Sequence, residues 1–156
     1  MRKYGTQGGF TIVEIMAVVA IMGILAVIVL PSIKINTIRV KMSEAILNFS
    51  SCKAIITEIY LSGGDSPGGG NWGCEVAANA STYVDNITTT DEGVITVWLH
   101  GFGDLRLNTH RLSLTPLDAT GNIMTNGGYV ARWRCGSPAD GTDVPAQFLP
   151  ASCRGG

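Results

Sequence analysis

One long apolar run dominates the first third of the chain. Every residue from Ile15 to Leu30 is apolar or glycine. As a helix, the wider stretch from Phe10 to Ile33 would be about 36 Å long at about 1.5 Å per residue. That length is enough to cross the roughly 30 Å hydrocarbon core of a bilayer. The pattern predicts a membrane-spanning helix with a single acid, Glu14, near its start. Because a carboxylate is costly in lipid, we expect Glu14 to have a partner.

Three more ordinary roles for this run fit less well. A cleaved secretory signal would end in small residues of the A-x-A kind, whereas Pro-Ser-Ile-Lys follows here at 31–34. An ordinary membrane anchor accounts for the hydrophobicity, but neither for Gly8-Gly9-Phe10 nor for Glu14. A buried helix of a soluble protein is disfavoured by length, since apolar stretches in soluble cores are shorter.

Beyond Pro31 the predicted helix becomes amphipathic. A proline inside a helix predicts a kink rather than an end. Apolar or small residues then recur at alternating steps of three and four, which is the helical period. They are Ile35, Ile38, Met42, Ala45, Phe49, Cys52, Ile56 and Ile59. A coiled-coil seam would show the same pattern, but because strands follow, we favour a helix packed on a sheet. The Gly-, Ser- and Pro-rich segment 62–70 ends the helix.

After this loop the apolar pattern changes to a period of two. Strands are predicted at 94–99, which is rich in β-branched and aromatic residues, at 111–115 and at 129–135. In the last of these, Arg132 and Arg134 fall on one face and Trp133 and Cys135 on the other. Three or four strands in this order predict an antiparallel sheet packed on the second half of the long helix. The fold class is therefore α+β, with a C-terminal loop from Gly136 to Gly156.

The charge balance disfavours a strongly basic nucleic-acid binder. The chain has 11 basic and 12 acidic residues. Arg2 and Lys3 precede the apolar run, which fits the positive-inside rule if the rest of the chain is exported. Without them, 9 basic and 12 acidic residues remain, a net charge of −3.

The four cysteines predict disulfides if the chain lies outside the cytoplasm. Four cysteines allow three pairings, and the sequence does not choose among them. We favour Cys52–Cys74 and Cys135–Cys153, because each would close a loop of about twenty residues, worth about 3 kcal/mol in the chain-entropy model. A metal site is disfavoured, since no C-x-x-C occurs and His100 and His110 are far in sequence from any cysteine.

Several segments of the chain resemble the type IV pilins. The N-terminal G-F-T-I-V-E pattern, 9–14, is typical of the type IVa subclass, which has a short leader and an N-terminal phenylalanine. The resemblance continues through 37–46 and 83–97. It ends in a W-x-C…LP-x-x-C-R pattern formed by Trp133, Cys135, Leu149, Pro150, Cys153 and Arg154. The N-terminal part alone would also fit a secretion pseudopilin, and the C-terminal cysteine loop favours a pilin.

The resemblance implies how the chain matures and assembles. A membrane aspartyl peptidase would cut between Gly9 and Phe10 and N-methylate Phe10. Glu14 would pair with the new amine of a neighbouring subunit, because a buried charge is tolerable only when it is matched. Pro31 would bend the helix, and Gly23 would permit local melting or close helix approach.

These expectations divide the chain into three parts. Residues 1–9 form a leader, 10–33 a transmembrane and fibre-core helix, and 34–156 a periplasmic or extracellular head. The precursor would lie in the inner membrane of a Gram-negative bacterium and then join an extracellular pilus. Its partners would be further copies of itself, the prepilin peptidase and methyltransferase, and the assembly machinery with its platform protein, ATPases and secretin. No cofactor is expected.

The function we expect is that of a structural pilus subunit, and specifically of a major pilin. The pilus would serve adhesion, twitching motility or DNA uptake, and a host surface or DNA would be its outside partner. The rivals are a minor DNA-receptor pilin of a competence system and a type II secretion pseudopilin. The DNA alternative rests on the arginines of the second half: Arg106, Arg111, Arg132, Arg134 and Arg154. Arg132, Arg134 and Arg154 are the candidate DNA contacts.

Catalysis is not expected, because we find no nucleophile–base pair and no metal-spaced acids. Asp140-Gly141-Thr142-Asp143 could be a calcium loop of the pseudopilin kind. It offers few of the six to eight oxygen ligands that calcium usually takes, so we favour a turn.

Overall fold

The computed structural model describes residues 9–104, 107–125 and 128–155, and for 30–32 the backbone alone. The predicted leader, apart from Gly9, and Arg106 lie outside the described residues. By its contacts the chain divides into two units, 1–35 and 36–156. In the first unit the described residues from Ile12 on form a mostly apolar helix, and the second unit is the head.

Two helices run almost without interruption through the first part of the chain. Helix α1 spans Ile12–Leu47 and α2 spans Phe49–Leu61, so that only Asn48 separates them. The Asn48 side chain donates from Nδ2 to Glu44 O at 3.1 Å and to Ser81 Oγ at 3.3 Å. A short polar side chain that bonds the preceding turn competes with the helical ladder, which explains the break. The backbone of α1 continues through Pro31, so the proline does not end the helix.

Helix α2 ends in a glycine cap, as the Gly-rich segment predicts. Gly63 has φ +70° and donates to Tyr60 O at 3.2 Å, while Gly64 donates to Ile59 O at 3.2 Å. This pair of bonds is a Schellman motif, which requires a residue in the left-handed region and therefore favours glycine.

The head contains one antiparallel sheet of four strands in the order β1-β2-β3-β4. The strands are Val84–Thr89, Ile95–Leu99, Arg111–Leu117 and Arg132–Cys135. The predicted α+β class is confirmed. The sequence patterns set no limits for β1 and began β4 too early, at Tyr129. Strand β3 ends at Leu117, which pairs with Arg132, so the residues before Arg132 have no β3 residue opposite them.

The core lies between the sheet and one face of the helices. That face buries Met42, Ala45, Phe49, Cys52, Ile56 and Tyr60. The predicted series is therefore right from Met42 to Ile56. Ile35, Ile38 and Ile59 are only partly buried, and Tyr60 takes the last buried position. Tyr60 donates to Glu92 O at 3.1 Å, and its ring lies 5.6 Å from that of Trp72. A buried tyrosine thus keeps a partner for its hydroxyl.

Loops supply hydrogen-bond partners to the outer side of β1 and to the start of β3. Beside β1, Val76 exchanges two backbone hydrogen bonds with Ile87, at 2.9 and 3.2 Å. Beside the start of β3, where β4 does not reach, Asp143 N donates to Arg111 O at 3.1 Å. Thr142 Oγ1 accepts from Ser113 N at 3.0 Å. The C-terminal loop therefore occupies the position that a longer β4 would take.

Candidate functional site

The apolar part of α1 is exposed along its whole described length. Residues 12–29, termed here the assembly helix, lie within the single described helix that is long and apolar enough to cross a membrane. Its most apolar 18-residue window has a mean hydropathy of 2.9, and none of that window is buried. Soluble proteins rarely expose so large an apolar surface, so this helix must be covered by lipid or by other protein.

Glu14 has a local role in addition to the pairing expected of it. Thr11 precedes the first residue of α1, and its N and Oγ1 both donate to Glu14 Oε2, at 2.9 and 2.8 Å. In return Glu14 N donates to Thr11 Oγ1 at 3.3 Å. This is a capping box, in which a Thr and a Glu three residues later satisfy the free N–H groups of a helix start. The T-x-x-E pattern before the apolar run could have predicted it.

Gly9 and Phe10, the predicted cleavage and methylation residues, precede the helix. Both are exposed, with Phe10 at 85%. A Cβ added at Gly9 would meet no atom within 4 Å. The backbone around the predicted scissile bond is therefore accessible, and nothing in the described fold depends on a glycine there.

Two disulfides close two loops of the head. Cys52–Cys74 spans 22 residues and Cys135–Cys153 spans 18, with Cα–Cα distances of 5.1 and 4.6 Å. The predicted C-terminal disulfide loop is confirmed, and the structure also pairs Cys52 with Cys74. Just after the second loop, Gly155 N donates to Cys135 O at 2.7 Å, which holds the chain beside β4.

Glu75 organises the start of the segment beside β1. Its carboxylate accepts hydrogen bonds from the backbone N–H groups of Trp72, Gly73 and Cys74, at 2.8 to 3.1 Å. It also accepts one from the Thr89 hydroxyl of β1. Burial alone would raise the pKa of Glu75, but these hydrogen bonds hold it below its ordinary value. The carboxylate therefore stays ionised and ties the Cys74 loop to the sheet.

The three arginines proposed to contact DNA are not a free basic cluster. Arg134 donates from Nε and Nη2 to the two carboxylate oxygens of Asp140, at 2.7 and 2.6 Å. Arg154 donates from Nε to Leu149 O at 3.1 Å. Arg132 is exposed on β4, and its guanidinium lies against Gly121. Two of the three side chains therefore already serve acceptors of the chain itself.

The acids of the 140–143 turn are engaged as well. Asp140 pairs with Arg134, and Asp143 accepts from Arg111 N at 2.5 Å and from Arg111 Nε at 3.4 Å. In the described part of the chain, no three His, Cys, Asp or Glu side chains gather in a way that could hold a metal ion. This turn fastens the C-terminal loop to the sheet.

An exposed apolar helix joined to a small disulfide-bonded head is the architecture of a filament subunit. The pilin family of bacterial filament proteins matches residues 39–154, and the prokaryotic N-terminal methylation motif matches residues 5–30. The chain belongs to the pilin family, as a type IV pilin.

Relatives agree over nearly the whole chain. The type IV major pilin protein PilE1 of Neisseria gonorrhoeae is 32% identical, over 95% of this chain and 87% of its own length. The fimbrial protein EcpC of Eikenella corrodens is 34% identical, over 95% of this chain and 91% of its own length. A fimbrial protein of Neisseria meningitidis serogroup B is 31% identical, over 95% of this chain and 94% of its own length. These relatives are filament proteins, and the methylation motif implies a prepilin peptidase as a partner.

Proposed function

We propose that this chain is the major subunit of a type IV pilus. Residues 1–9 are removed as a leader, 10–33 hold the precursor in the membrane and then form the fibre core, and 34–156 form the displayed head. The observation that carries the proposal is that every residue of the assembly helix is exposed. The match to relatives described as major pilins supports the major role.

The exposed helix accounts for both states of the subunit. In the inner membrane its apolar side chains face lipid, so the precursor is stable there as a reservoir. In the fibre the same side chains face identical helices. At about 25 cal/mol per Å² removed from water, burial in the fibre core is a large favourable term once the subunit has left the bilayer.

Glu14 then acts in assembly in addition to capping its own helix. Both hydrogen bonds from Thr11 end on Oε2, so Oε1 is open to a second donor. Cleavage after Gly9 creates a cationic amine on Phe10, and the amine of a neighbouring subunit can reach this oxygen inside the fibre. A matched charge pair in a dry core fixes the axial position of an incoming subunit, because an unmatched charge there is expensive.

The further partners follow from this scheme. A prepilin peptidase and methyltransferase processes the precursor, and a platform protein, ATPases and a secretin move subunits into and through the envelope of a Gram-negative cell. The finished fibre serves adhesion to a host surface, twitching motility or DNA uptake.

The decisive experiment is intact-mass analysis of filaments sheared from cells that produce this chain. We expect residues 10–156 with one added methyl group and two disulfides, as the dominant protein of the preparation. A dominant filament protein of other sequence, with this chain in traces, would instead make it a minor pilin. A chain beginning at Met1 would contradict the maturation scheme.

A further inference from the structure

The head carries a second exposed apolar feature, on the side of its helices that faces away from the sheet. Val40, Leu47 and Leu61 are 72%, 69% and 68% exposed. They are the most exposed large apolar side chains described between 36 and 155, and Ala54 is exposed beside them. These four residues are termed the outer stripe. They alternate along the chain with the buried residues that face the core.

The outer stripe has a regular spacing. Its members lie seven residues apart, and the same spacing runs back in the sequence through Ile33, Ala26, Val19 and Ile12. A seven-residue apolar repeat is the pattern by which one helix packs along another. A helix face that contacts only water gains nothing from such a regular apolar repeat. Beside Val40 and Leu47 on the same helix face lie the small polar residues Ser43, Ser50 and Ser51, three or four positions later, which would let a second helix approach closely.

Charges of opposite sign flank the outer stripe on its two sides. Arg39 and Lys53 each come one residue before a stripe member, and Glu44 and Glu58 each come four residues after one. In the heptad of a coiled coil, residues at these two flanking positions form salt bridges between helices. Those salt bridges determine which helices pair and whether they run parallel or antiparallel. Each basic residue is followed five residues later by an acid, Arg39 by Glu44 and Lys53 by Glu58. In a parallel pair of helices, a flanking residue faces the position five residues later on the partner.

The acidic edge has no ion-pair partner within the part of the chain that the structure describes. The carboxylates of Glu44 and Glu58 are exposed and take part in no described salt bridge. Lys53 is exposed, with Nζ 5.8 Å from the centre of the Trp133 ring, and Arg39 uses Nε to bond Gln147 O at 2.9 Å. Both cations retain further N–H donors for a second contact.

We propose that the outer stripe is an interface with a second, parallel copy of this chain, in which Arg39 and Lys53 of one copy lie opposite Glu44 and Glu58 of the other. An axial displacement of two heptads keeps apolar residues opposite one another and brings Arg39 beside Glu58. The inference rests on the proposed function, since the fibre supplies the parallel neighbour. It adds a head contact that sets the direction of packing by charge.

Charge reversal in the full-length chain tests this interface, with sheared filament yield as the readout in cells that carry the assembly machinery. Glu58→Lys places like charges opposite each other, and we expect about a tenfold loss of filaments with normal precursor processing. A second charge reversal in the same chain should restore the yield. If the two copies are level, Lys53→Glu should do so; if they are displaced by two heptads, Arg39→Glu should do so. Asp85→Lys, which reverses an exposed acid on β1, is the matched control and should leave the yield unchanged.

Co-expression distinguishes contacts between copies from contacts within one. Subunits with Glu58→Lys alone and subunits with the rescuing reversal alone, Lys53→Glu or Arg39→Glu, carrying different tags, should form mixed filaments although neither polymerises well by itself. Leu47→Gln should also lower the yield, whereas Ile123→Gln, at an exposed site off the stripe, should not. Wild-type yield from Glu58→Lys, or rescue by neither reversal, would overturn the interface while wild-type filaments leave the proposed function standing. Absence of wild-type filaments would instead count against the proposed function.

Discussion

Arg134 and Asp140 form a two-point ion pair whose two sides differ in exposure. The Arg134 side chain is 26% exposed, whereas that of Asp140 is 3% exposed. Burial alone would raise the pKa of Asp140, but the hydrogen bonds and charge of Arg134 hold the pKa below its ordinary value. The carboxylate is therefore stabilised in its ionised form, and it links β4 to the turn that begins the C-terminal loop.

Asp140→Asn should destabilise the head by about 1–3 kcal/mol at pH 7, because it removes the charge from a nearly buried hydrogen-bonded pair. A carboxyl whose folded pKa is depressed stabilises the fold above its unfolded pKa, near 3.9, and loses that contribution as the pH falls through the folded value. The gap between wild type and variant should therefore narrow as the pH falls below about 4. Denaturant unfolding of the oxidised mature chain in detergent, at pH 7 and pH 3, measures it. Asp85→Asn is the control, and an equal gap at both pH values would contradict the ion-pair account.

Gly9→Val should block maturation without disturbing the fold. The Cβ position at Gly9 is empty, so the change acts on recognition of the scissile bond by the peptidase. We expect uncleaved precursor in the membrane and no filaments, as seen by immunoblot and intact mass. Gly23→Ala, inside the assembly helix and equally open, should be cleaved normally. Normal cleavage of Gly9→Val would place the processing site elsewhere.

Two substitutions separate the capping role of Glu14 from its charge. Glutamine can complete a capping box, so Glu14→Gln keeps the helix start and removes only the charge, whereas Glu14→Ala removes both. If the carboxylate pairs with a neighbour's amine, both variants should insert, be cleaved and assemble poorly. Filament yield after shearing is the measurement. Wild-type yield from Glu14→Gln, with a defect in Glu14→Ala, would mean that only the cap matters.

The head should not bind DNA. Arg134 and Arg154 already donate within the chain, and the mature net charge of −3 opposes a polyanion. Titration of sheared filaments with short duplex DNA at low salt should show no binding. Salt-dependent binding would reverse this view. In that case Arg132→Ala with Arg134→Ala should flatten the slope of log K against log salt by about one unit per lost phosphate contact.

Local pattern predicted most of the fold because its signals are short in range. The helical period of residues 35–59, the alternation of 111–115 and the Gly-rich stop after Leu61 each depend on neighbours within a few residues. Strand β4 was predicted too long because its length is set by where β3 ends. That limit depends on pairing between residues that are distant in sequence, which a local pattern does not contain. The break at Asn48 likewise involves Ser81, which lies 33 residues away.

The functional residues divide in the same way. Gly9, Phe10 and Glu14 are proposed from a continuous motif, and their environment in the filament depends on other subunits. The arginines show the limit of local sequence patterns, because period-two geometry places Arg132 and Arg134 on one face but does not reveal that Asp140 neutralises one of them. That pairing depends on the course of the C-terminal loop.

The loops that bond the outer side of β1 and the start of β3 have a consequence for a head displayed in a crowded fibre. An unpaired strand edge is a template for another chain, and fibre subunits are held together at very high local concentration. Here Val76 fills the edge at Ile87, and Asp143 and Thr142 fill the edge at Arg111 and Ser113. These stretches of strand backbone are therefore not free to join a sheet shared with a neighbouring head. At these positions the fold itself blocks the edge-to-edge strand pairing with which amyloid-like aggregation begins.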